Sequence, residues 1–160
     1  MKTTMLGIGN QFDNNVTDPA IAINEHNQVL CLSTDFINNI YYKVGTVNGM
    51  VIDWGTTNSF TSGAVPAVAM NNKGQYVEVH RTSNIFGSSL WWSTGTIDTV
   101  HNTIHPYSAY EEGSLWGSVT PSITLSNASV IAAAYQSDSD TTTCKVGKIE
   151  SNQVVLINTS

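Results

Sequence analysis

The sequence predicts an all-β fold built from three tandem copies of a four-stranded unit of about 50 residues. Three observations predict it. An aromatic residue followed by a short polar turn recurs at Phe12, Phe60 and Tyr110. A proline opens an alternating apolar stretch at Pro19, Pro66 and Pro121. The apolar runs are short and alternate with a period of two, as strands do, and no stretch shows the 3.6-residue period of an amphipathic helix.

The runs line up in order. The first strand of each unit is AIAIN, AVAMN or SITLS, and the second is QVLCLST, QYVEVHR or SVIAAAY. The third run ends at a glycine: IYYKVG at Gly45, LWWSTG at Gly95 and TCKVG at Gly147. The fourth is MVIDW, NTIHP or QVVLI. Asn, Gly, Ser and Thr clusters separate the runs, as turn chemistry requires. The Ala-rich stretch from Ile131 to Tyr135 is short and occupies a strand position of the other units. The chain reads as a single domain, 1–160, with units at about 12–59, 60–109 and 110–160. Residues 1–11 are left over, and Thr3 to Ile8 could add a strand to another unit.

Four antiparallel strands repeated at nearly constant spacing is the pattern of a β-propeller blade. Propellers close with about four to eight blades. Three blades therefore predict closure by oligomerisation, with two chains giving a six-bladed ring. The alternative built from the same strands is a β-sandwich or barrel.

Composition narrows the function. Charged residues make up only 11%, against roughly 25% in an average domain, and 16 Asn, 17 Ser and 19 Thr take their place. Such a surface favours hydrogen bonding to neutral partners. The net charge is −6, and the Lys and Arg residues are scattered singly. That argues against nucleic acid, which needs a basic patch, and against an anionic membrane surface. No run has the length of a membrane-spanning helix, so no membrane insertion is expected. No apolar signal-peptide run follows Lys2, so the expected location is cytoplasmic, or outside the cell after release without a signal peptide. Cys31 and Cys144 form no CxxC pair, which argues against a disulfide framework or structural zinc and leaves a single bridge between them open.

The strings NIYYKVGTVNGMVIDWG and PAVAMNNKGQYVEVH resemble units of bacterial repeat proteins with a propeller-like pattern. The arrangement is also similar to small oligomeric bacterial propeller lectins, which assemble a ring from few-bladed chains. The resemblance implies sugar sites between adjacent blades, built from an aromatic platform, an Arg and a carboxylate.

Several residues are candidates for such sites. Tyr41-Tyr42 and Trp91-Trp92 occupy equivalent strand positions, where one ring of each pair faces inward and the other can meet a sugar. Glu78, His80 and Arg81 form the densest polar cluster. Glu78 and His80 share a strand face, and a carboxylate and an arginine give strong directed bonds to hydroxyls. The structural reading of the same residues is aromatic packing between blades and a buried Glu–His pair. Trp54, beside Asp53, and Trp116, in an inserted SLWGS loop, are further exposed-aromatic candidates. Asp98, His101 and His105 suggest metal only weakly, because a loop need not make the two rings converge. Glu111-Glu112 and the pair Asp138 and Asp140 read as solvated loop charges.

No P-loop, G-x-S-x-G, HExxH or dinucleotide motif is present. The sequence thus predicts a non-enzymatic lectin with shallow multivalent sites for glycans, working as a homodimer or other homo-oligomer. No cofactor or metal is expected. The alternative is a protein-interaction scaffold or toxin subunit that binds a protein partner.

Overall fold

The computed structural model describes residues 14–84, 87–115, 120–136 and 141–157. Phe12, Trp116, Asp138, Asp140 and the Thr3–Ile8 segment lie outside the described residues. Within them the chain is all-β, with three antiparallel sheets and no helix.

The first sheet runs β1 (Val16–Ile23), β2 (Gln28–Asp35), β3 (Asn39–Asn48) and β4 (Val51–Trp54) in sequence order. A fifth strand, β5 (Asn58–Ser62), pairs with the first half of β3, while β4 pairs with its second half. The second sheet is β6 (Ala64–Met70), β7 (Gln75–Asn84), β8 (Gly87–Asp98) and β9 (Thr103–Leu115). Here β9 does the work of both β4 and β5, pairing along the whole of β8. The third sheet is β10 (Ser122–Leu125), β11 (Val130–Gln136), β12 (Thr142–Glu150) and β13 (Gln153–Ile157).

The positions 59/60 and 109/110 fall inside β5 and β9. Phe60, at an irregularity of β5 between the paired Ser59 and Thr61, and Tyr110, paired with Trp92, belong to the sheet that precedes them rather than opening the next one. The three glycines do not end their strands either. β3, β8 and β12 continue through Gly45, Gly95 and Gly147. The residue is glycine because the neighbouring strand comes too close for a side chain: a Cβ on Gly45 would lie 2.8 Å from the Trp54 ring, and one on Gly147 2.8 Å from the Val155 carbonyl oxygen.

One hairpin recurs in all three units. The turns at Asn24–Gln28, Asn71–Gln75 and Ser126–Val130 share the same main-chain bonds, and Asn27, Gly74 and Ser129 hold the positive-φ position in each. Asn and Gly take that conformation readily, and Ser129 adopts it at some cost in the third turn. The asparagines also bind one turn to the next. The Asn24 amide donates to the Asn71 carbonyl at 3.1 Å, and the Asn71 amide to the Ser126 carbonyl at 3.4 Å.

Two apolar layers separate the sheets. Leu30, Leu32, Ile40, Tyr42 and Val44 of the first sheet meet Val68, Tyr76 and Ile104 of the second. Val77, Val79, Leu90 and Trp92 of the second meet Leu125, Ile131, Ala133, Tyr135 and Ile149 of the third. The alternation of β7 serves both layers: Tyr76, Glu78 and His80 face the first sheet, and Val77 and Val79 face the third. Each fully buried aliphatic side chain contributes about 1.5–3 kcal/mol.

Candidate functional site

A cleft of about 320 Å³ opens between the first and second sheets. β3 contributes Tyr42, β5 Ser59, Phe60 and Thr61, β7 His80, β8 Trp91 and Ser93, and β9 Ile104, Pro106 and Ala109. Strand register explains the grouping. His80 lies directly opposite Trp91, and Glu78 opposite Ser93, so all four point to one side of the second sheet. Tyr42 and Phe60 meet edge to face, with centroids 6.4 Å apart and planes at 86°, a favoured aromatic geometry. The Tyr42 hydroxyl lies 2.9 Å from Thr103 Oγ1 across the junction.

Glu78 stands behind His80. Its side chain is completely buried, and both carboxylate oxygens reach the imidazole Nδ1, at 2.9 and 3.1 Å. Burial pushes the Glu78 pKa above the ordinary carboxyl range, and the contact with His80 opposes that rise. Gly63 leaves the room that the ring occupies, since any Cβ there would collide with the imidazole.

The other candidates are dispersed. Trp92 is wholly buried between the second and third sheets, so its ring cannot meet a ligand there. Its Nε1–H donates to Glu112 at 3.1 Å. Tyr41 lines a separate hollow with Asp35 and Phe36, its hydroxyl 3.3 Å from Asp35. Trp54 packs over Gly45 in β4 and does not line the cleft. Arg81 lines a different hollow beside Ser62 and Thr82.

Sequence reasoning missed the role of Glu112, which lies in β9 and is partly buried rather than solvated in a loop. It accepts from Trp92, from the Tyr135 hydroxyl at 2.8 Å and from Lys145. By strand register Tyr135 and Thr143 are the third-sheet counterparts of His80 and Trp91. The polar network therefore stands at the second junction where the open cleft stands at the first. Asp98, His101 and His105 do converge: the Asp98 carboxylate lies 2.7 Å from His101 Nδ1 and 3.5 Å from His105 Nε2, on an exposed turn. Among the described residues no group of three ligating side chains forms a metal site. Cys31 and Cys144 are both free thiols, one buried and one exposed, and burial pushes the Cys31 pKa up to about 11.

Comparison with protein-family models, with curated proteins and with solved structures gave no match to this chain.

Proposed function

We propose that the chain is a carbohydrate-binding protein and that the cleft between its first two sheets is the sugar site. The observation that carries this is the lining. Trp91, Phe60 and Tyr42 supply aromatic surface, and Ser59, Thr61, Ser93 and His80 supply hydrogen-bonding groups. None of the lining residues is an Asp, Glu, Lys or Arg. A sugar ring has the complementary make-up, with an apolar C–H face and a rim of hydroxyls. Concave sites that combine apolar walls with a few placed polar groups are the usual form of a small-molecule site. The reading is of a binder rather than an enzyme: Glu78 is occupied in holding His80 and has no access of its own to a ligand.

The test is a glycan-array screen followed by calorimetry. Trp91→Ala should weaken binding tenfold or more, which is about 1.4 kcal/mol, with unchanged circular dichroism. A folded chain that binds no glycan defeats the reading, and retention of a protein partner insensitive to sugars would favour the scaffold instead.

The same reading takes the three sheets as blades of a propeller that a second copy completes. Repeat-equivalent positions support it. Val68 and Met70, at the junction with the first sheet, are 9% and 7% exposed, while their first-sheet counterparts Ile21 and Ile23 are 59% and 57% exposed. At the other end Val146 is 39% exposed, and its counterparts Val44 and Thr94 are at 0%. Each end thus presents one of the two face types that mate inside the chain.

A further inference from the structure

We propose that the hollow around Arg81 is a binding site for a small oxyanion, a carboxylate, sulfate or phosphate group, separate from the aromatic cleft. The inference does not rest on the carbohydrate reading.

Arg81 is the only arginine of the chain. It lies opposite Ala64, where the pairing of β7 with β6 ends, and lines a hollow of about 190 Å³ together with Asn38, Ser62, Gly63 and Thr82. The chain carries 12 acidic residues against 6 basic ones, so an arginine has ample opportunity to find an acid. Lys145 and Lys148 do so, on Glu112 and Glu150. Arg81 does not: among the described residues it has no carboxylate partner, and its Nε–H is buried with no acceptor. Asp35 stands at the foot of the turn that forms one wall, but it is taken up locally. It accepts from the main-chain N–H groups of Ile37 and Asn39 and from the Asn39 amide, at 2.8–3.0 Å.

A buried, unsatisfied donor on a charged group calls for a partner. The guanidinium offers five N–H donors in a planar fork, and the group it matches best is an oxyanion taken by two parallel bonds. The side chains of Asn38, Ser62 and Thr82 on the walls can add neutral donors to the same anion. The wall itself is pinned, since Gly63 N–H donates to the Asn38 carbonyl at 2.7 Å.

A single arginine makes the test direct, because the ¹⁵N-labelled chain has one arginine Nε–Hε resonance. Titrations with acetate, sulfate and phosphate, each against sodium chloride at matched ionic strength, should move that resonance along a saturable curve and slow its exchange with water. The anion that saturates first identifies the class, carboxylate or tetrahedral. Arg81→Lys keeps the charge and loses the fork, and should weaken the preferred anion at least tenfold, read by thermal shift. A response to all three oxyanions no larger than to chloride, or one that never saturates, would mean that the hollow holds water only and would overturn the proposal. The wild-type titration decides this even if the variant fails to fold.

Discussion

At the scale of the residue, the Glu78–His80 pair is the clearest commitment the chain makes. A carboxyl with no exposure is costly unless it is hydrogen-bonded, and His80 supplies the bond. Glu78→Ala should lower the unfolding free energy by about 1–3 kcal/mol, the usual result of leaving a buried polar group without its hydrogen-bond partner. Glu78→Gln keeps an acceptor oxygen and should recover much of that loss. Chemical denaturation of the two variants measures both, and equal stability of Glu78→Ala and wild type would show that the pair holds nothing. The pH dependence has a definite sign. Because burial raises the Glu78 pKa, the folded chain holds this proton more tightly than the unfolded chain. The carboxyl's contribution is full below about pH 4.3 and is eroded as the pH climbs through the raised value. The pairing was legible in the sequence, since residues two apart on a strand share a face. The fates of Trp91 and Trp92 were only half legible. Alternation puts them on opposite faces, but which face meets a cleft and which a third sheet depends on packing that no local pattern encodes.

At the scale of the element, alternation and turn residues marked the strands well, because period two and positive-φ Asn or Gly are local properties. Strand continuity was hidden. β9 runs unbroken through Tyr110 because β8 is long enough to pair with all of it, and that cause lies some twenty residues away. The convergence of His101 and His105 was hidden for a similar reason. The β8–β9 turn is organised by Asp98, which accepts from Val100 N and His101 N at 2.9 and 3.1 Å while its other oxygen faces the two imidazoles. These bonds, that to the His101 ring foremost, hold the Asp98 carboxyl well below its ordinary range. A carboxyl with a depressed folded pKa stabilises above the unfolded value, about 3.9, and loses that stabilisation as the pH falls toward the folded one. Asp98→Asn should therefore be less stable than wild type at neutral pH, and the difference should close in acid. A carbon-detected titration of the Asp98 carboxyl checks the cause, and an ordinary midpoint would remove it.

At the scale of the whole molecule, the repeat gives the chain a direction. Each internal junction joins a face of one type to a face of the other, and the outermost sheets leave one of each exposed, at Ile21 and Ile23 and at Val146, Val155 and Ile157. A contact between unlike faces is heterologous. It closes into a ring when the rotation per sheet permits and otherwise runs on as a filament. Six sheets from two chains fall within the range of about four to eight blades that rings accept. Sedimentation should then give a mass of two chains, and Ile21→Glu and Val146→Asp should each reduce it to one, because either charge spoils both junctions of a two-chain ring. Mixing the two variants separates this arrangement from a like-to-like contact. The variant with a damaged first sheet still has a sound third sheet, and its partner has the reverse, so one intact junction can form and the mixture should partly regain the two-chain mass. A like-to-like contact through the third sheet would instead be indifferent to Ile21→Glu and would regain nothing on mixing. A wild-type chain that sediments as a monomer at every concentration would rule out association through these faces altogether.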